Sequence, residues 1–294
     1  MKPLNFTKMH GLGNDFIVLN NLQKDIDLSA SQIRQLSDRH FGIGFDQLLI
    51  VEPASVADAE FDYRIYNADG GEVEHCGNGA RCFARFVRDQ GLSNNAVITV
   101  NTMGGVIRLR VLEDGQVTVD MGVPVFEPAR IPLVADTEAD EYSVMLTSES
   151  TATAPGLVKA TAALNSPVVF GSVAIGNPHA VIVVDDVDTA PVETLGPVLE
   201  SHSLFPQRVN VGFMQIVSRS HVRLRVYERG VGETRACGTG ACAAVVVGNK
   251  QNLLDKKVVV SLPGGDLDIL WPGANQNVEM TGPCTTVFEG QTRM

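Results

Sequence analysis

Two cysteines sit in matching surroundings, Cys76 in EHCGNGARCFARFV and Cys237 in RACGTGACAAVVV. Each is followed by Gly-x-Gly (Gly77 and Gly79; Gly238 and Gly240) and then by a run that reads as a helix. Glycines at a helix start leave the orphan first-turn N–H groups open to a ligand, and the helix dipole favours an anion such as a carboxylate. The same field lowers a cysteine's pKa, so thiol and thiolate are both accessible near neutrality. Two such thiols, one on each face of a bound molecule, can remove a proton from one side of a carbon and return one from the other. That chemistry suits inversion at the α-carbon of an amino acid, whose enantiomers differ in the face that carries the hydrogen. The developing carbanion must be met by preorganised donors, for which the amides of Gly77, Asn78, Gly238 and Thr239 are the candidates. Enzymes of this kind often hold pyridoxal phosphate on a lysine. The chain has seven lysines and none in its repeated motifs, so no cofactor is expected.

The elements that would position the cysteines also occur twice. HGLGNDFIVLN from His10 corresponds to AIGNPHAVIVV from Ala174, aligning Asn14 with Asn177. DLSASQIRQLSDRH from Asp27 and DTAPVETLGPVLESH from Asp188 both read as capped amphipathic helices. GFDQ at Gly44 echoes GFMQ at Gly212, and YNADGGEVEHCGNGA matches YERGVGETRACGTGA. VITVNTMGGVIRLRV and VVVSLPGGDLDIL alternate apolar and polar residues around a Gly-Gly pair, as a β-hairpin does. Matches in the same order, each about 160 residues apart, indicate an internal duplication. Several short strands, one peripheral helix and one cysteine-led helix per half, with no strand–helix alternation, favour an α+β fold over a doubly wound parallel sheet. The expected domains are residues 1–124 with 283–294, and residues 125–282. Within the second, residues 135–166, acidic and then rich in Ser, Thr and Ala, read as an exposed insertion.

Composition narrows the classes. At 294 residues, 44% hydrophobic and 19% charged, the chain can bury a large core. No export signal is expected, and no apolar run reaches the roughly 18 residues of a membrane span. A net charge of −11 without a basic stripe argues against nucleic-acid or polybasic membrane contact. Five cysteines fit reduced thiols in a cytoplasmic compartment. Cys82 and Cys242, about a turn further along each helix, read as core residues. A zinc set of Cys76, Cys82, Cys237 and Cys242 with His75 is the rival use of the same residues, but C-x5-C and C-x4-C are not the usual zinc spacings. A Cys76–Cys237 disulfide on oxidation is another, although no C-x-x-C is present. GLG at Gly11 lacks the rest of a phosphate-loop signature and reads as a turn. An anion-binding or redox-sensing protein built on the same helix ends is the alternative from a different class.

Taken together, KMHGLGNDF, HFGIGFDQ, YNADGGEVEHCGNGARC, IGNPH, RVNVGF, YERGVGETRACGTGAC and MTGP resemble the diaminopimelate epimerase family, in order, over nearly the whole chain outside residues 135–166. The resemblance implies a cofactor-independent epimerase that interconverts LL- and meso-2,6-diaminopimelate in lysine and peptidoglycan-precursor synthesis. It implies two similar domains, each a β-barrel-like sheet wrapped around a central helix, and a homodimer whose partner in chemistry is a small diamino dicarboxylic acid. It makes Cys76 and Cys237 the acid/base pair, and Asn14, Gln47, Asn67, Asn177 and Asn210 binders of the substrate's polar groups. Asn and Gln can donate and accept there without adding a titrating charge. Arg229 is suited to a bidentate grip on the distal carboxylate and Glu228 to the ammonium at the reacting carbon. His179 resembles a family histidine placed near a catalytic cysteine. A proline or hydroxyproline racemase of similar fold is the nearest rival, but YERG and the asparagine set favour the acyclic diacid.

Overall fold

Leu12 and Gly13 both take positive φ, 56° and 87°, the backbone of a type I′ turn whose twist matches that of its flanking strands. The phosphate-loop-like GLG is therefore a hairpin turn. It joins β1 (Pro3–Gly11) to β2 (Asn14–Asn20), with Gly11 opposite Asn14. This hairpin opens the first of two compact units in the computed structural model, which describes residues 3–74, 76–146 and 167–293. Unit 1 comprises Met1–Asp120 and Thr281–Met294, and unit 2 comprises Met121–Met280.

In unit 1 the chain leaves β2 through α1 (Ala30–Ser37), whose start is a capping box between Ser29 and Gln32. It returns as β3 (Gln47–Pro53), parallel to β2, and β4 (Phe61–Asn67) pairs antiparallel with β3. The cysteine-led helix α2 (Gly77–Asp89) then leads to β5 (Val97–Thr102), parallel to β4. β6 (Gly105–Val111) and β7 (Val117–Asp120) follow as antiparallel neighbours, and the last strand, β17 (Thr285–Arg293), lies antiparallel to β1.

Unit 2 repeats this order. β8 (Tyr142–Met145), β9 (Pro167–Ala174) and β10 (Pro178–Val184) are antiparallel neighbours. After α3 (Val192–Glu200), β11 (Asn210–Ser218) pairs parallel with β10 and antiparallel with β12 (His221–Glu228). A short β13 (Gly232–Thr234) precedes the second cysteine-led helix, α4 (Gly238–Lys250), and β14 (Lys257–Leu262) is parallel to β12. β15 (Gly265–Leu270) completes a hairpin with β14, and β16 (Glu279–Gly282) follows. Thr102 faces Gly105 and Leu262 faces Gly265, so both Gly-Gly segments are two-residue hairpins.

Three expectations need correction. Strand–helix–strand crossovers do occur, two per unit, each joining parallel neighbours. Antiparallel pairs between them keep each sheet mixed, so the α+β class stands. The second peripheral helix has no side-chain cap: Pro191 occupies its N-cap and its ring has no acceptor for the first-turn N–H groups, and Pro197 interrupts its interior. Finally, the acidic segment is not wholly an exposed insertion. Its first part forms β8 and buries Val144 and Leu146, while Lys250 donates to Glu138 and Gln251 to the Asp140 carbonyl. Residues 147–166 lie outside the described residues.

The two cysteine-led helices are the cores of their units. α2 buries nearly every residue from Gly77 to Val87 and touches β1, β2, β3, β6 and β7. α4 buries Ala241 to Gly248 without a break and touches β9, β10, β11, β12, β14 and β15. A helix apolar on nearly all sides, as α4 is, is stable only when surrounded, whereas α2 is amphipathic, burying its apolar side against the sheet and keeping Arg85, Arg88 and Asp89 on the less buried side. Gly79 shows how close the wall comes: a Cβ there would meet the Tyr63 hydroxyl at 2.5 Å.

Candidate functional site

In unit 1, Cys76 is the N-cap of α2, extended at φ −138° and ψ 120°, and its side chain makes no capping bond. The thiol instead donates to Asn14 Oδ1 at 3.7 Å, and Asn78 Nδ2 donates to the same oxygen at 3.3 Å. Asn14 is held from its other end, where Nδ2 donates to Asp46 Oδ2 at 2.9 Å. Arg39 bridges Asp46 and Asp15, and Lys8 also pairs with Asp15. Burial pushes the Asp15 carboxyl up, but bonds from Arg39 and Lys8 outweigh it and hold the group well below the usual carboxylate range. Arg81, fully buried, donates to Asn78 Oδ1 at 2.9 Å and to the Pro283 carbonyl at 3.2 Å. Gln47 and Asn67, opposite each other on β3 and β4, are joined by a 2.9 Å bond from Gln47 Nε2 to Asn67 Oδ1. Gln47 Oε1 is buried with no partner among the described residues.

Unit 2 has the same backbone device with different neighbours. Cys237 is the N-cap of α4 at φ −115° and ψ 104°, and it is 3% exposed. Its thiol donates to Glu228 Oε2 at 3.2 Å and lies 3.6 Å from Thr239 Oγ1; Thr234 Oγ1 donates to the other Glu228 oxygen at 2.5 Å. Burial, and then the charge of Glu228, push the Cys237 thiol well above its ordinary range, against smaller lowering contributions from Thr239 and the Gly240 N–H. The expected helix-end lowering is therefore overridden at Cys237, because desolvation of a thiolate beside a carboxylate outweighs the field of one helix start. Burial also raises the Glu228 carboxyl, opposed by the bonds from Thr234 and Cys237.

The other second-half residues form one cluster. His179 is 1% exposed, and burial together with the Arg229 charge lowers its pKa to about 3. The ring is therefore neutral near neutrality, and Nε2 donates to Asn177 Oδ1 at 2.9 Å. No hydrogen bond joins it to Cys237 among the described residues. Asn210 donates to the Pro178 carbonyl at 3.0 Å and accepts from the Arg229 N–H at 2.9 Å, so its amide ties two backbone segments. The Arg229 guanidinium is exposed and donates through Nη1 to the Gln207 carbonyl at 3.1 Å.

At both helix starts the α-helical ladder begins only with Ala80 N–H to Cys76 and Ala241 N–H to Cys237. The amides of Gly77, Asn78, Gly238 and Thr239 precede it, where helices lack internal acceptors. Sequence reasoning overlooked Asp46 and Thr234, which orient Asn14 and Glu228. Both sit within the repeated motifs, and Asp46 stands where the second copy has Met214, a divergence that could have drawn attention to it. Among the described residues no cluster of His, Cys, Asp and Glu has metal-binding geometry, and His75 lies outside them. No helix of the described residues is long and apolar enough to cross a membrane.

The profile of the family described as diaminopimelate epimerase matches residues 6–127 and 171–287, the two halves without the acidic segment. The chain is 58% identical to a diaminopimelate epimerase of Cupriavidus metallidurans, over 98% of this chain and 96% of that protein. It is 56% identical to one of Chromobacterium violaceum, over 99% of both. Among solved structures it resembles a PhzF-family phenazine biosynthesis protein of Bacillus anthracis, with TM-score 0.69, 16% identity and 100% coverage of both chains. It also resembles a hydroxyproline epimerase of Agrobacterium vitis, with TM-score 0.68 and 14% identity over 98% of this chain and 92% of that one. These structural likenesses speak for the α+β fold with two similar halves.

Proposed function

This chain belongs to the diaminopimelate epimerase family, and from that premise we propose that it interconverts LL- and meso-2,6-diaminopimelate with Cys76 and Cys237 as its two proton carriers. The observation that carries the mechanism is that two topologically matched units each place one cysteine at the N-cap of a buried helix, just ahead of first-turn amides. One sulfur takes the α-proton as a thiolate and the other delivers a proton as a thiol, so the active form holds one proton between the two. Burial and Glu228 favour the thiol form of Cys237, which suits it to the donor role in one direction. The reverse direction needs the opposite distribution.

Negative charge spreading onto the substrate carboxylate is assigned to the amides of Gly77, Asn78, Gly238 and Thr239, so the proposed mechanism uses no cofactor. Gln47 Oε1, a buried acceptor, suits a substrate ammonium. Asn14, Asn67, Asn177 and Asn210 supply further donors and acceptors, and the guanidinium N–H groups of Arg229 beyond the bond to Gln207 suit the distal carboxylate. His179, neutral near pH 7, orients Asn177 rather than carrying a proton. A cytoplasmic homodimer in lysine and peptidoglycan-precursor synthesis completes the proposal. The thiols of Cys82, Cys237 and Cys284 and the exposed Val287 and Phe288 of β17 support the setting and the pairing, and sedimentation of the purified protein tests the latter.

The cyclic-substrate reading is weaker because Glu228-Arg229 replaces the Asn67-Ala68 of the first half. A guanidinium gained in one copy answers a second carboxylate, which proline lacks. Purified protein given LL-2,6-diaminopimelate in D2O should form the meso isomer with deuterium at one α-carbon. No exchange would overturn the proposal, and equal turnover of proline would restore the racemase.

A further inference from the structure

The last residue of α3, Glu200, combines three unfavourable features. It is a carboxylate only 2% exposed, and desolvating a charge is costly. It stands at a helix C-terminus, where the dipole disfavours an anion. Its partner, Arg208, donates through Nη2 at 2.7 Å from a backbone at φ 62°, a left-handed conformation that non-glycine residues rarely adopt. Strain and burial of this kind persist where surrounding structure over-determines them, often beside functional groups.

The contacts of Glu200 show what it holds. Its second oxygen, Oε1, accepts the Gly230 N–H at 2.9 Å, and its main-chain carbonyl accepts the Val209 N–H at 3.1 Å. Gly230 belongs to the turn Glu228–Val231, closed by Val231 N–H to the Glu228 carbonyl at 3.1 Å, with Gly230 at φ 74°. The neighbouring Arg229 N–H is taken by Asn210 Oδ1. Each N–H of Arg229, Gly230 and Val231 therefore has a fixed acceptor, and the acceptor for Gly230 is the buried charge.

We propose that Glu200, fastened by Arg208, is a positioning residue that sets the Glu228–Val231 turn, placing Glu228 against Cys237 and the Arg229 guanidinium for its carboxylate. The role rests on the epimerase reading only for the substrate half of this statement; the placement of Glu228 against the thiol stands without it. Among the described residues no hydrogen bond joins Glu200 or Arg208 to Cys237, so both would act through the turn.

The test uses Glu200→Gln, which keeps the shape and one acceptor but loses the charge pairing, and Arg208→Gly, which relieves the left-handed backbone while removing the clamp. Two quantities are read: carboxamidomethylation of the Cys237 peptide at fixed pH, and KM and kcat for diaminopimelate. A slackened turn moves the Glu228 charge off the sulfur, so Cys237 should alkylate several-fold faster in both variants. KM should rise 10- to 100-fold, the scale of a misplacement of about 1 Å, and Arg208→Lys should recover part of it. Lower thermal stability with unchanged alkylation and KM would reduce Glu200 to a structural residue and overturn the proposal. Unchanged values throughout would do the same. If the wild type epimerises no diaminopimelate, the functional reading fails while the alkylation comparison still decides the role of Glu200; if Glu200→Gln does not fold, Arg208→Gly decides it.

Discussion

Glu228 Oε2 lies 3.2 Å from Cys237 Sγ, whereas the equivalent thiol, Cys76, faces the neutral amide oxygen of Asn14. Duplicated sulfurs thus have unlike acceptors. Glu228→Gln keeps a hydrogen-bonding partner and removes the charge that helps to push Cys237 upward, so the pH profile of Cys237 alkylation should move to lower pH. The folded pKa of Cys237 lies above the ordinary value of 9.0. Its contribution to stability is therefore complete below about pH 9 and is lost as pH rises through the folded value, and the variant should lose less stability in alkaline solution. Coincident alkylation profiles would refute the electrostatic account.

Removing one thiol should stop inversion without stopping proton abstraction. Cys76→Ala and Cys237→Ala should each lose epimerisation, because every turnover needs a base and an acid on different residues. Each should retain slow α-hydrogen exchange with D2O in one configuration only, followed by NMR. Full epimerisation by either variant would end the two-base mechanism.

His179 provides a stability test in acid. Its folded pKa of about 3 lies below its ordinary 6.5, so its contribution is present above pH 6.5 and is lost as pH falls through that window. The limiting slope is about 1.4 kcal/mol per pH unit. Urea midpoints at pH 7, 5.5 and 4.5 should fall less steeply for His179→Gln than for the wild type. Parallel curves would mean that the imidazole protonates without cost.

Arg229→Lys keeps the charge but not the planar fork, and should raise the barrier for diaminopimelate by about 1.5–3 kcal/mol, the range of a charge-assisted hydrogen bond. Steady-state kinetics giving an unchanged kcat/KM would remove Arg229 from the distal site.

Gly79→Ala sets two magnitudes against each other. Alanine gains about 1 kcal/mol of helix propensity, but its Cβ would meet the buried Tyr63 hydroxyl at 2.5 Å, and overpacking costs about 1–3 kcal/mol. The clash should win, lowering Tm and displacing the hydroxyl that donates to the Cys76 carbonyl at 3.4 Å. A higher Tm would show that Tyr63 yields freely.

What the sequence disclosed was whatever recurred. Cys76 and Cys237 at their helix starts, the Gly-Gly hairpins and the turn at Gly11 carry local chemistry, and duplication showed each twice or set it in an ordered frame. What it concealed depended on distant pairing. Nothing near β2 or β4 announces that each will lie parallel to the strand after its helix. The Glu228 contact with Cys237 needs β12 and the start of α4 to meet, which no spacing reveals. The raised thiol at Cys237 followed from burial, a property of the assembled core, so the helix-end field read from Gly-x-Gly pointed the wrong way.

The pairing of β1 with β17 has a consequence for how the protein is made. Pro3 faces Arg293 and Lys8 faces Phe288 across this ladder, and the rings of Phe6 and Phe288 meet edge to face at 5.9 Å. During synthesis β17 leaves the ribosome after all of Met121–Met280, a continuous segment with its own core that can fold while still tethered. Unit 1 waits longer. Until its final strand arrives, β1 exposes an unpaired edge and Phe6 has no cover at Gly290, whose backbone closes over that ring. Contacts of such long sequence separation form slowly, so the nascent first half is the stage at which a chaperone would matter most and at which misassociation between growing chains would begin.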